Sequence, residues 1–540
     1  MESAKSTKPG QARIILLLFI VIAAGAYLFF SQKKGEPAPA SPEAGLYEKP
    51  QKEIPVEGKY IFKSAAELGA MLRNKEASVV DITKAFIAHI KNNNYKYNAI
   101  VWLREKEALE DAQKADEAIA RGEWLSPLHG IPVTVKEEYW VKGSPVTLNA
   151  NLYRDFVAPE DGELVKQLKR SGAIILGKSN VPTLLMDYQT QGEIYPTASN
   201  PYDTTRSPGG STGGGAAALA AGFTTLALGS DLGGSIRVPA SYCGLYSLKT
   251  SFGSLNTTEG DGPDTTSKKK RRALNVAGPL ARTPEDLEAA WLILRDAKKD
   301  LRVQQPIAWK QASDRPISEY RIAWIDDWKN GDNVVTVGKD VKEKLGMLID
   351  SIKHHGALVK NTAPDTYGEM MRSYLECLAL LSGEGQPESV RNNIKTGMKQ
   401  WEDGTGRLAP FYNTMDNPDD VHWRQWQENN EKLKAKWVNF LGQYDFFICP
   451  ITYGPAIKKC PKGTPITIDG ETVSYFRYST YTTIFNPIEV PSITIPLGLN
   501  KEGLPIVVQI VGPMYSEPEL LHFAKLLKPF TPGFIRPRGL

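Results

Sequence analysis

Lysine, serine and glycine are the residue types in this chain whose placing could do chemistry. The stretch "GSDLGGSIRVPASYCG" (229–244) puts serines among glycines, beside an Asp and an Arg, directly after an apolar run. Upstream, "SPGGSTGGGAAALAAG" (207–222) carries Ser211 on a second glycine-rich turn, and the β-branched "IPVTVK" ends on Lys136. A serine hydroxyl is a poor nucleophile unless a base removes its proton during attack. A lysine can be that base where burial among apolar neighbours penalises the ammonium form. Taken singly, each residue also has a plain structural reading, the lysine as a surface charge and the glycines as sharp turns.

Other chemistries find less support. The six histidines, His89, His129, His354, His355, His422 and His522, form no HExxH or HxH arrangement, and the four cysteines form no CxxC pair. No metal, zinc site or disulfide framework is expected on that basis. The glycine-rich 207–222 stretch lacks the Lys-Ser/Thr of a phosphate loop and the spacing of a dinucleotide fingerprint, so no cofactor is expected. Gly209 to Gly213 fits GxSxG, yet that elbow needs a strand just before it, and "SNPYDTTRSPGG" reads as loop. With 41% hydrophobic and 23% charged residues and a net charge of +4 over 540 residues, the chain reads as globular, with no indication of nucleic-acid binding.

The elements around these turns follow from pattern. Ser64 with Glu67, and Ser78 with Asp81, open two expected helices, and 104–121 gives a third, stopped by Gly122. "IPVTVK" is an expected buried strand, and 162–180 an expected helix, glycine stop and short strand. "GGGAAALAAG" is an expected small-residue helix leading into the strand "FTTLALGSD", so two serine-bearing turns bracket a helix and a strand and could lie side by side. "YDFFICP", "PSITIPL" and "PIVVQIVG" continue the alternation. The whole predicts an α/β fold with a central sheet covered by helices on both faces, in one large domain from residue 59 to residue 540.

These segments together resemble the amidase signature family. Its glycine- and serine-rich landmark is matched by "RSPGGSTGGG", and its G-S/T-D-x-G-G-S-I-R-x-P-A landmark by "GSDLGGSIRVPASYCGLYSLKTSFG". "PLHGIPVTVKE" is similar to its lysine segment, and "NVAGPLARTPEDL" and "LPIVVQIVGPMYSEPELL" to its later landmarks. The likeness runs from about residue 60 to about residue 530, with 75 residues from Lys136 to Ser211 and 24 from Ser211 to Ser235. The resemblance implies a large twisted mixed sheet and hydrolysis of linear amides. It implies that Ser235 is the nucleophile, that Ser211 is a bridging serine behind a cis peptide bond, and that Lys136 is the base. It further implies an oxyanion hole of the Leu232, Gly233, Gly234 and Ser235 N–H groups, with Asp231 and Arg237 as structural support across the turn.

The N-terminus and the substrate are separate matters. Residues 14–30 carry no charge and follow Lys5, Lys8 and Arg13, while Lys33 and Lys34 come next; at ~1.5 Å per residue the run just spans a bilayer core. A cleaved signal peptide is one reading, and an uncleaved single-pass anchor, favoured by Tyr27, Phe29 and Phe30 at its end, is the other. The expected organisation is a basic 1–13, an anchor at 14–30, a proline-rich linker at 31–58 and the body, hence a membrane protein of undetermined orientation. That layout resembles fatty acid amide hydrolases and favours a lipophilic amide, with peptide or small-molecule amides, or a non-catalytic anchored scaffold, as alternatives; the expected partners are a small amide, water and the membrane. Trp423, Trp426, Leu433, Trp437, Phe440 and Leu441 fall near helical spacing and are expected in the core, with a lipid-facing surface as the alternative. "SKKKRR" (267–272) is expected to be an exposed loop, with anionic headgroups as an alternative contact.

Overall fold

The computed structural model describes residues 44–263, 273–297, 300, 306–328, 337–402 and 406–540. The strands along the chain are β1 (Ile100–Leu103), β2 (Pro132–Lys136), β3 (Ile174–Ser179), β4 (Leu226–Asp231), β5 (Tyr246–Lys249), β6 (Val276–Ala281), β7 (Arg321–Trp324), β8 (Leu358–Asn361) and β9 (Phe446–Pro450). A small hairpin, β10 (Ile466–Ile468) and β11 (Glu471–Val473), precedes β12 (Ser492–Leu499) and β13 (Pro505–Val511). All but the hairpin join one mixed eleven-stranded sheet in the order β1-β3-β2-β4-β6-β5-β12-β13-β9-β7-β8. Where the lysine strand lies, β2 runs parallel to both β3 and β4, with Val135 level with Lys178 on one side and Leu228 on the other. Every residue of β2, β3 and β4 is buried, as a strand covered on both faces requires.

The helices of the first half are α1 (Ala65–Arg73), α2 (Val79–Tyr97), α3 (Glu105–Ala120), α4 (Glu163–Arg170), α5 (Gly213–Ala220), α6 (Arg237–Cys243) and α7 (Pro284–Leu294). Those of the second half are α8 (Lys339–His354), α9 (Tyr367–Gly383), α10 (Glu388–Met398), α11 (Ala409–Asp416), α12 (Asp420–Leu441), α13 (Thr480–Thr483) and α14 (Glu517–Leu526). Local chemistry sets their starts: Ser64 and Glu67 close a reciprocal capping box on α1, and the Ser78 hydroxyl accepts from the Asp81 N–H on α2. In α5 the run of small residues is buried throughout, and a Cβ at Gly214 would lie 2.2 Å from the Asn180 nitrogen, so only glycine lets this helix approach so closely.

The two faces of the sheet carry two cores, and β9 shows why. Phe446 and Ile448 join the core that holds α1 to α3, α7 and α14, whereas Phe447 and Cys449 join the one built on α9, α11 and α12. Successive strand side chains point to opposite faces, so a single strand feeds both. The aromatic residues of α12 belong to that second core: Trp423, Trp426, Leu433, Trp437 and Leu441 are buried, and Phe440 packs against them partly exposed. Their polar edges are satisfied, with the Trp426 indole N–H donating to the Ser373 carbonyl at 2.9 Å and that of Trp437 to Thr366 Oγ1 at 3.1 Å.

The expectation of a membrane-anchored protein needs correction. Among the described residues no helix is long and apolar enough to cross a membrane, and the apolar run at 14–30 lies outside them. The stretch expected as a free linker is also shorter than its composition implies. Leu46 is buried in the first core, its carbonyl accepts from Asn94 Nδ2 at 3.0 Å, and the Ile54 N–H donates to Asn92 Oδ1 at 3.0 Å, so α2 holds the chain well before residue 59. The basic segment 267–272 lies outside the described residues.

Candidate active site

Alternation along β2 places the lysine. Val133 and Val135 point into the first core, so Lys136 leaves the strand on the opposite side, where it is fully buried. Its Nζ donates to Ser211 Oγ and to Ser230 Oγ, both at 2.8 Å, and lies 3.4 Å from Glu138 Oε1. Burial holds the Lys136 amine below the ordinary lysine value, while the charge and hydrogen-bonding capacity of Glu138, and then the charges of Asp231 and Asp261, act the other way. The turn after β2 is itself fixed to β4, because the Tyr139 hydroxyl donates to the Gly229 carbonyl at 2.8 Å.

Ser211 sits one residue before the N-cap of α5, behind a cis Gly210–Ser211 peptide bond. Gly210 packs against the 187–189 backbone so closely that a Cβ there would lie 2.5 Å from the Asp187 carbonyl oxygen. The two serine turns meet through the backbone, with the Thr212 N–H donating to the Ser235 carbonyl at 3.0 Å. Ser211, Ser230 and Ser235 line one cavity of about 360 Å³, whose other walls include Leu184, Met186, Leu378, Leu381, Trp401 and Phe476.

The turn bearing Ser235 is held by Asp231. Its carboxylate accepts from the N–H groups of Gly234 at 2.8 Å and Ile236 at 3.1 Å, from Asn486 Nδ2 at 3.0 Å, and from Arg237 Nε at 3.1 Å and Nη2 at 2.9 Å. Both charged partners are fully buried. Burial alone would raise the Asp231 carboxyl, but the Arg237 guanidinium outweighs it and holds the group well below the usual carboxylate range. Arg237 is fixed in turn by Gln509 and Asn486.

This arrangement divides the four expected oxyanion-hole groups. The Gly233 carbonyl accepts from Thr482 Oγ1 and Thr483 Oγ1, both at 3.0 Å, and the N–H of the same peptide unit, that of Gly234, is given to Asp231. That donor is committed to the scaffold. The N–H groups of Leu232, Gly233 and Ser235 donate to no acceptor among the described residues.

Two residues at the lysine escape sequence reasoning. Ser230 becomes its second hydroxyl partner only because β4 runs parallel to β2, and Glu138 becomes its carboxylate neighbour only through the turn after the strand. Ser230 lies inside the glycine-rich stretch, but its spacing from Lys136 carries no signal of its own.

An eleven-stranded mixed sheet with helices on both faces defines an α/β fold, and it brings a buried lysine, two serine turns and an apolar cavity together. The Amidase family model matches residues 81–521. The chain belongs to that family and is accordingly a hydrolase of amide C–N bonds. It is 30% identical over 478 residues to a glutamyl-tRNA(Gln) amidotransferase subunit of Alkaliphilus metalliredigens, covering 83% of this chain and 92% of that one. The fold is similar to that of a bacterial aryl acylamidase, with a TM-score of 0.74 and 21% identity over 89% of this chain and 99% of the other. It is also similar to that of a fatty acid amide hydrolase, with a TM-score of 0.72 and 20% identity over 99% and 92%.

Proposed function

We propose that the chain hydrolyses a linear carboxamide with an apolar body, through an acyl-enzyme on Ser235. The observation that carries this reading is the fully buried Lys136 amine 2.8 Å from Ser211 Oγ, with Ser211 and Ser235 on the wall of one cavity. In its neutral form the amine accepts the Ser211 proton as Ser211 takes that of Ser235, and Ser235 attacks the amide carbon. Ser230 holds the amine from its other side and fixes its direction. The developing oxyanion is received by the N–H groups of Leu232, Gly233 and Ser235, while Gly234 and the Asp231–Arg237 pair keep the turn in place. The relay then returns the proton to the leaving nitrogen, without which an amide anion would have to depart, and water hydrolyses the ester by the reverse route.

The lining supports an apolar acyl or amine arm, since leucine, methionine, tryptophan and phenylalanine side chains make up much of the wall. A second reading, glutamine as substrate, has the name of the amidotransferase relatives in its favour. Against it, none of the described residues of the wall is a Lys, Arg or His that could pair with the carboxylate of an amino acid. The test is labelling with a fluorophosphonate probe, followed by release of ammonia or amine from oleamide, an amidated peptide and glutamine. Modification of Ser235 with fastest turnover of oleamide is expected, and Ser235→Ala abolishes both. Correctly folded protein that is neither labelled nor active would point to a binding scaffold, and preference for glutamine would overturn the apolar-substrate reading.

A further inference from the structure

The cavity's charges are one-sided. Three carboxylates line it, Glu138, Asp187 and Asp261, and no basic side chain does so among its described residues. Asp187 is already bound by the Tyr475 hydroxyl and Gln191 Nε2. Glu138 is different: it is 4% exposed, and its Oε1 has no well-formed hydrogen bond among the described residues, with the Lys136 amine 3.4 Å away and the buried Lys178 near enough to feel its charge. Its place is fixed by the main chain, since the Gly262 N–H donates to the Glu138 carbonyl at 2.8 Å and Tyr139 bridges to Asp261.

This placing conflicts with a lysine that must act as base. Lys136 can take the Ser211 proton only when it is uncharged, and in that form it no longer offers Glu138 a counter-charge, which leaves only the more distant, fully buried Lys178 to feel that carboxyl. A cation brought by the substrate removes the conflict, because it pairs with Glu138 in the place of the ammonium and leaves the amine free to act. We propose that the substrate is an amide carrying a protonated amine, which binds in the cavity against Glu138 close to the scissile bond. The proposal rests on the amidase reading above and names the charge of its substrate. The apolar wall takes the remainder of the molecule, and anionic amides are excluded.

Two isosteric pairs test this: β-alanyl p-nitroanilide against butanoyl p-nitroanilide, with the charge on the acyl side, and N-(2-aminoethyl)dodecanamide against N-propyldodecanamide, with the charge on the leaving side. The amine member of at least one pair is expected to have a kcat/KM higher by about tenfold or more. Glu138→Gln should remove that preference and Glu138→Asp should keep part of it. Equal rates or preference for the neutral member in both pairs, or a preference unchanged in Glu138→Gln, overturns the proposal. Should Glu138→Gln fail to fold, direct binding to the wild-type enzyme decides: in calorimetric titration hexylammonium is expected to bind at concentrations roughly tenfold below hexanol, and equal affinity overturns the proposal. If Ser235 is labelled yet no member of either pair is cleaved, this proposal alone fails. If Ser235 is also unlabelled, the amidase reading fails with it.

Discussion

Replacing Asp231 by alanine removes the group on which the turn bearing Ser235 hangs. It leaves the Arg237 guanidinium fully buried without its counter-charge, and breaking a buried pair from one side costs about 3–5 kcal/mol. The Gly234 and Ile236 N–H groups lose their acceptor as well, at roughly 1–3 kcal/mol each if they stay dry. One carboxylate serves all of them, so the losses overlap, and a total of about 4–7 kcal/mol is expected. At ~2.1 cal/mol/K per residue, the described part of the chain, about 470 residues, loses about 1 °C of Tm per kcal/mol, which puts Asp231→Ala roughly 4–7 °C below the wild type in a thermal melt. The double variant Asp231→Ala with Arg237→Met removes the orphaned cation and should recover about half of the loss. The Asp231 carboxyl is held below its ordinary value in the folded protein, so its contribution is complete above the unfolded carboxylate range and falls away only in acid; the same gap should therefore appear at pH 6 and pH 8. A double variant no more stable than Asp231→Ala would refute the view that the pair is coupled and that the orphaned charge dominates.

At Gly234 the backbone has φ +125°, and a Cβ would lie 2.2 Å from Thr482 Oγ1, so Gly234→Ala should displace the adjoining donors and lower kcat by roughly a hundredfold, while circular dichroism reports a folded protein. As the proposed base, Lys136 would act in its neutral form, and burial lowers its proton affinity, so the rate of Ser235 labelling should rise with pH and level off below the ordinary lysine value of 10.5. Lys136→Met should abolish that rise. A pH-independent labelling rate in the wild type would remove the lysine from the relay.

Much of the site is legible in local sequence pattern. The strands that bear Lys136 and Asp231, the helix between the two serine turns and the start of α1 all follow from it, because each is set by burial, capping or glycine over a few residues. The small residues between the turns suggest that the turns meet, and the Thr212 N–H contact to Ser235 is the device that joins them. Ser230, Glu138 and the committed Gly234 N–H are not legible, since each depends on which strand lies beside which and on where one carboxylate points. Periodicity shows that α12 has an apolar face but not what covers it, and the structure supplies the answer in Thr366, Ser373, Phe447 and Phe485. The proline-rich stretch misleads for a related reason, because composition does not reveal that Asn92 and Asn94 hold its end.

The serines and lysine proposed to react all come from residues before 236, whereas Tyr374, Leu378, Leu381, Met398, Trp401 and Phe476 reach the cavity wall from helices and loops that follow much later in the chain. Such a split lets selection rewrite what is admitted while the bond-breaking apparatus stays untouched. A combinatorial library confined to those later positions should accordingly yield enzymes of altered appetite and undiminished reactivity toward small phosphonate labels.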